Sequence, residues 1–509
     1  MPRLLGFFFA SIVLITESAA QEPKAPTKAP TAPAEKKTDK PDEAAAKPVT
    51  TKHTIKLGGK QLQYTATAGQ MPIRNAEGEV EAHIFYMAYT LDSPPEGQRR
   101  PLMFSFNGGP GSSSVWLHLG ALGPRRVKMR PDGGMPPPPA ELVDNEYTWL
   151  DLTDLVFIDP VGTGYSRPVK PDLGKKFWSV QGDLDSVGEF IRAYLSEYNR
   201  WASPLFIVGE SYGTTRASGL SGHLVDRGIA LRGIVLVSAV LNFQTLIFSR
   251  GNDLPYVLFL PSYTATAWYH KKLPPELQQD MQKTLHEVEQ WATAQYSVAL
   301  AKGDRMTAAE RQDTIDHLAR YTGISKNFID RANLRLDEQH FAKELLRAEK
   351  RTVGRYDSRF QGIDETAIGN TPDYDPSEAV VRSAFTTTFN DYIRSELHYK
   401  SDLEYKILGG IRQWEWGNAI QGFPNVTDAL RRALVKNPYM KVHVASGYYD
   451  LATPYFGTHY TIDHLNLDPA LRRNVTTSEY EAGHMMYIQS ESLTKLKKAV
   501  GEFLGNALK

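Results

Sequence analysis

A chain of 509 residues with 41% hydrophobic and 11% aromatic content is long enough to bury at least one large core, and its 58 basic side chains balance 58 acidic ones. That balance, with no dominant basic run in any folded stretch, gives no electrostatic basis for a nucleic-acid or membrane-surface partner and points to a small molecule or peptide. The absence of cysteine excludes disulfide staples, thiol nucleophiles and Cys-ligated metal sites.

Residues 1–20 have the pattern of a secretory signal: Arg3 as the charged start, a short apolar run over 4–15, and Ser18-Ala19-Ala20 as the small residues of a cleavage site. No later stretch reaches the roughly 20 consecutive apolar residues of a membrane span, so the expected location is outside the cytoplasm, periplasmic or extracellular, with no stable span after signal removal. Residues 21–52 hold Pro23, Pro26, Pro30, Pro33, Pro41 and Pro48 among Lys, Ala and Thr with no aromatic side chain. Such a segment buries too little apolar surface to offset its ordering entropy, and a disordered tether is expected.

The first core segment is expected over 53–240. Residues 54–67 and 79–91 have the composition of strands, punctuated by Gly58-Gly59 and Asn75-Ala76-Glu77-Gly78. The short, nearly continuous apolar runs 102–106, 155–158, 205–208 and 234–237 match strands buried on both faces of a parallel sheet. Helical patterns over 180–198 and 212–226 alternate with the later ones, which predicts an α/β fold, a mostly parallel central sheet flanked by helices. From 241 to 399 the pattern changes to charged amphipathic helices (274–301, 307–320, 338–349 and 377–397) with no buried strand among them, a helical cap insertion. A second core segment, 400–509, resumes with strands at 441–445 and 474–479 and a terminal helix at 492–504.

Where the strand 205–208 gives way to a helical pattern stands Gly209-Glu210-Ser211-Tyr212-Gly213. Flanking glycines permit the sharp turn that exposes a serine hydroxyl as a nucleophile. Such a serine needs a base, and the base needs an acid to hold its tautomer. Asp450 follows the buried run 442–449, at the strand end where open α/β sheets place their ligands, and His484 follows the next strand. An aspartate after a strand also serves as an ordinary turn former, and His443, His459 or His464 compete for the base role, with Asp463 competing for its partner. Asn107-Gly108-Gly109-Pro110-Gly111 follows the first buried strand, where consecutive glycines bring backbone N–H groups close to a ligand. That suits an oxyanion hole completed by the amide of Tyr212.

These blocks, together with Asp159-Pro160-Val161-Gly162-Thr163-Gly164-Tyr165-Ser166 and Ala482-Gly483-His484-Met485, resemble the serine carboxypeptidase family of α/β-hydrolases, in a bacterial-type branch. The resemblance implies a triad of Ser211, Asp450 and His484, an oxyanion hole from the N–H groups of Gly109 and Tyr212, and removal of C-terminal residues at acidic pH. It also implies that a substrate carboxylate is held by Asn107, Gly108 and a protonated Glu210, a group able to donate only while neutral. Three positions depart from the family pattern: Ser105 in place of a Trp, Ala121 in place of a second Glu, and Ser112 in place of a Cys. The first two belong to the carboxylate network, and Arg125 and Arg126 are nearby cations for a compensating contact, or solvated surface residues.

The resulting expectation is an exported serine carboxypeptidase acting on peptide or protein C-termini through an acyl-enzyme on Ser211, with no metal and no cofactor. An esterase, amidase or acyltransferase on the same scaffold is the alternative. An inactive binding protein is a third reading, disfavoured by the intact set of nucleophile, acid, base and glycine loop.

Overall fold

The computed structural model describes residues 47–93, 99–409, 411, 413–417 and 422–509, so the expected leader and the tether up to residue 46 lie outside the described residues. Strands β1 (Val49–Leu57) and β2 (Lys60–Arg74) form an antiparallel hairpin across Gly58 and Gly59, whose φ values of 54° and 80° suit glycine alone at no cost. β1 begins inside the segment 21–52 expected to be disordered. Val49 already pairs with Ala68, because the backbone ladder of β2, rather than the composition of the segment, orders this stretch.

The chain continues through β3 (Val80–Leu91), β4 (Leu102–Phe106), β5 (Asp154–Ile158), α1 (Val180–Glu197), β6 (Leu205–Glu210), α2 (Tyr212–Val225) and β7 (Gly233–Val237). After the helical segment come α7 (Thr427–Lys436), β8 (Lys441–Gly447), β9 (Val475–Tyr480) and the terminal α8 (Ser490–Leu508). The sheet order is β1-β2-β3-β5-β4-β6-β7-β8-β9, with the short pair Arg167–Pro168 added beside β3. All neighbours from β5 to β9 are parallel, and β1, β2 and β3 join antiparallel at one edge. This is an α/β-hydrolase fold.

Each central strand feeds two cores, because successive side chains point to opposite faces. Met103, Phe206, Val208 and Val235 join Leu496, Val500 and Phe503 of α8 on one face. Phe104, Leu205, Ile207 and Ile234 meet Val187 and Ile191 of α1 and Leu220 of α2 on the other. The parallel strands therefore end together on one rim, and the loops leaving that rim carry the candidate residues.

The helical segment differs from its sequence reading in three ways. Helix α3 (Leu254–Tyr269) has no counterpart in the expected set: twelve of its sixteen residues are buried and it contains Pro261, so it has neither an amphipathic stripe nor a clean propensity signal. Helices α4 (Met281–Trp291) and α5 (Ala308–Thr322) pack with it around a separate core of Phe259, Tyr263, Val288, Leu318 and Phe341. A two-residue strand pair, Thr352–Val353 with Gln361–Gly362, sits where no strand was expected, and Thr352 and Val353 are buried. Finally, α6 (Pro376–Ser395) sends Val381, Phe385, Phe389 and Tyr392 into the hydrolase core instead of the separate one.

Candidate active site

The turn at Ser211 is built from close backbone approaches. Its φ of 59° and ψ of −131° lie in a region costly for any residue with a Cβ, at the junction between β6 and α2. A Cβ at Gly209 would stand 2.1 Å from the carbonyl oxygen of Gly213, and one at Gly213 would meet Phe106 O at 2.9 Å. Both flanking positions are therefore closed to larger residues. The Ser211 amide donates to Val237 O at 3.0 Å, which ties the strained residue to β7.

The glycine loop after β4 lies directly against this turn. A Cβ at Gly108 would fall 2.4 Å from the Tyr212 nitrogen, so only glycine lets the loop approach the start of α2. Tyr212 opens α2, where amide groups have no intrahelical acceptor, and Gly109, at φ 102°, lines the cavity beside it. The ring of Tyr212 is buried behind the turn, with the Arg216 guanidinium 5.4 Å from its centroid. Arg216 donates to Asn107 O at 2.7 Å and to Asp183 Oδ2 at 2.8 Å, so a buried ion pair fastens the glycine loop to α1 and α2.

Asp450, fully buried after β8, accepts from the backbone amides of Ala452 and Thr453 at 2.7 and 2.9 Å through Oδ1. Its Oδ2 accepts from Thr453 Oγ1 at 2.7 Å and lies 2.7 Å from His484 Nδ1. That contact fixes the imidazole and leaves Nε2 as the nitrogen available to the cavity, which both His484 and Ser211 line. Burial pulls the His484 pKa down, but the negative charge and hydrogen bond of Asp450 and the charge of Glu210 outweigh it and hold the imidazole above its ordinary value.

The competing residues lie elsewhere. His443 is buried between Thr476 and Ser478, its pKa lowered to about 4 by burial. His459 pairs with Glu479, His464 with the Tyr460 carbonyl, and Asp463 with Arg472. Arg125 is engaged by Asp144 and Glu396, and Arg126 by Glu146; neither lines the cavity.

Glu210, buried beside the Ser211 turn, accepts from Asn107 Nδ2 at 3.0 Å and from the Tyr487 hydroxyl. Burial raises its pKa to about 7, against the opposing pull of His484, Tyr487 and Asn107. Asn107 Oδ1 in turn accepts from Leu117 N at 3.0 Å, so the amide is oriented with its nitrogen toward the acid. Ala121 contributes only a methyl group, and the Ser105 hydroxyl is buried without a partner among the described residues.

Two contributions have no sequence signal. The segment 354–360 grips the histidine loop: Tyr356 O accepts from His484 N at 2.6 Å, Asp357 Oδ2 accepts from Gly483 N at 3.1 Å, and the Tyr356 ring lies 5.1 Å from the imidazole. The same segment donates its Ser358 amide to Tyr449 O and accepts the Leu451 amide on Arg355 O, which holds the loop bearing Asp450. The second contribution is Tyr487, three residues beyond His484, whose position in the sequence gives no hint that its hydroxyl reaches an acid 277 residues away. Among the described residues no group of three or more His, Asp or Glu side chains could hold a metal ion, and no helix is long and apolar enough to cross a membrane.

Comparison with known proteins places the chain in a family. The family model described as serine carboxypeptidase matches residues 59–499. Serine carboxypeptidase-like 13 of Arabidopsis thaliana is 32% identical over 136 residues, 26% of this chain and 30% of that protein. Serine carboxypeptidase S10 family member 1 of Dictyostelium discoideum is 23% identical over 365 residues, 67% of this chain and 74% of that protein. The matches to four Arabidopsis relatives span between 30% and 48% of their lengths, less than half of each. The crystal structure of a prohormone-processing carboxypeptidase from Saccharomyces cerevisiae superposes with a TM-score of 0.52 at 18% identity, covering 86% of this chain and 91% of that one, a likeness of fold. With a match that runs through nearly the whole described chain, this protein belongs to the serine carboxypeptidase family.

Proposed function

We propose that this protein is an exported serine carboxypeptidase that cleaves the last peptide bond of peptides or proteins. The observation that carries the reading is the adjacency of Ser211 to Glu210, a buried acid with a pKa raised to about 7, in one cavity with Asn107 and His484. Below that pH the acid is neutral and donates to a carboxylate; above it the two charges repel. The proposed export rests on the leader pattern of residues 1–20.

In this mechanism the substrate carboxylate lies against Asn107, the Gly108 amide and Glu210. Ser211 Oγ attacks the scissile carbonyl as His484 Nε2 takes its proton, and Asp450 stabilises the imidazolium. The developing oxyanion accepts from the amides of Gly109 and Tyr212. His484 returns the proton to the departing amine, releasing the C-terminal amino acid and leaving an ester on Ser211. Water then attacks that ester with His484 again as base, giving the shortened peptide and free serine.

Incubating the protein with an N-blocked dipeptide and following release of the second amino acid tests this. Release that Ser211→Ala abolishes is the expected result; no release from pH 4 to pH 8 refutes it. Ala121 and Ser105, which supply nothing to the carboxylate site, favour an esterase, amidase or acyltransferase as the second reading. Equal turnover of a peptide acid and its amide would select that reading.

A further inference from the structure

Glu210 presents two oxygens, and the surroundings distinguish them. Oε2 accepts from Asn107 Nδ2 at 3.0 Å and from the Tyr487 hydroxyl. The amide nitrogen carries donors only, and the phenol also donates its hydrogen to this oxygen, so an acid proton placed on Oε2 would point at another hydrogen. Occupied twice, Oε2 leaves Oε1 as the oxygen that bears the proton, on a side chain that lines the cavity.

The phenol is locked in place. Tyr487 is 1% exposed, and a Cβ at Gly120 would lie 2.5 Å from its Cε2, so the π-helical turn His118–Leu122 is open at one position to admit the ring. The adjacent Ala121 leaves no second carboxyl group to compete for this phenol. We propose that Tyr487 is a positioning residue for substrate recognition, holding Glu210 so that Oε1–H faces the terminal carboxylate of a peptide. This rests on the carboxypeptidase reading and adds to it the source of the acid's orientation.

The titratable groups facing Glu210 are His484 and Asp450 from the loops after β9 and β8, Tyr487 itself, and Tyr356 from the segment gripping the histidine loop, while Glu378 of α6, paired with Arg382, lines the same cavity. Losing the Tyr487 hydroxyl removes a donor that favours the charged acid, so the proton is held to higher pH even as its direction is lost.

Tyr487→Phe keeps the ring and deletes only the donor. For an N-blocked dipeptide acid, KM rises about tenfold, the cost of losing the aligned hydrogen bond from Glu210 to the charged substrate carboxylate, with kcat within about twofold. The limb on which KM rises with pH moves upward, whereas turnover of the corresponding peptide amide is unchanged. In a Glu210→Gln background the same substitution has no further effect on KM, which separates action through Glu210 from a general packing loss, and a thermal melt verifies the fold of each variant. An unchanged KM and pH limb in Tyr487→Phe overturns the assignment while leaving the carboxypeptidase reading intact. A wild-type protein that treats acid and amide alike overturns both.

Discussion

Glu210→Gln is the most direct probe of the proposed site, because in that reading a single proton couples recognition to stability. The folded acid has its pKa raised from 4.5 to about 7 by burial. A raised folded pKa contributes stability that is fully present below the unfolded value and is lost as pH climbs through the folded one. A difference of that size corresponds to about 3 kcal/mol, at 1.36 kcal/mol per pH unit. His484 acts in the same direction, since its pKa is also raised and is supported by the Glu210 charge. The wild-type protein should therefore lose about 3 kcal/mol through Glu210 between pH 4.5 and pH 8, with His484 adding in the same direction, whereas the glutamine variant has no titrating acid here and loses none of the Glu210 part. For a chain of this size the unfolding entropy is on the order of 1 kcal/mol/K, so the two melting curves should separate by about 3 °C at pH 8 relative to their separation at pH 5. Scanning calorimetry of both proteins at the two pH values measures this. In parallel, KM for a peptide acid should rise through pH 7 in the wild type and stay flat in the variant. A constant difference in melting temperature together with parallel KM profiles would refute a buried, protonated acid at this position.

Further outcomes follow from the same geometry. For a peptide acid, kcat/KM should rise as His484 loses its proton and fall as Glu210 loses its own near pH 7, whereas a peptide amide should show the rise alone; rate profiles on both substrates distinguish the limbs. Ser211→Gly should abolish fluorophosphonate labelling and raise stability by about 1–3 kcal/mol, because φ 59° costs glycine nothing; a lowered melting temperature contradicts the strain. Arg216→Ala should cost about 3–5 kcal/mol by leaving the Asp183 carboxylate buried alone, which urea unfolding measures. Gly483→Ala places a Cβ 2.3 Å from Tyr356 O and should lower kcat at least about a hundredfold by displacing His484; near-normal kcat in a folded variant refutes the role given to segment 354–360.

What the residues reveal by themselves follows local periodicity. Runs such as 205–208 stand out because both faces of the strand are buried and all four side chains are apolar before Gly209 and Glu210 lead into the turn, and the Gly-x-Ser-x-Gly spacing records backbone contacts within a few residues of Ser211. The placing of Asp450 and His484 just past strand ends was likewise legible, since a parallel sheet sends its strand ends to one rim. Periodicity fails where burial is all round or where the partner is distant. Leu254–Tyr269 went unseen because a helix buried on every side has no polar stripe, and Val49–Lys52 because its order comes from pairing with β2.

Composition and spacing left open which histidine meets which aspartate; the family resemblance implied the pair, and the tertiary structure supplies the contact. His443, His459 and His464 have the same chemistry as His484, and only the packing places His484 Nδ1 2.7 Å from Asp450. It also decided the contacts that hold the site: Tyr356 and Asp357 on the histidine loop, Arg216 on the glycine loop, and Tyr487 on Glu210. Each is a hydrogen bond between groups more than a hundred residues apart, formed because the core fixes two loops against each other. A sequence encodes such a bond only through the whole fold, since no neighbouring residue carries its imprint.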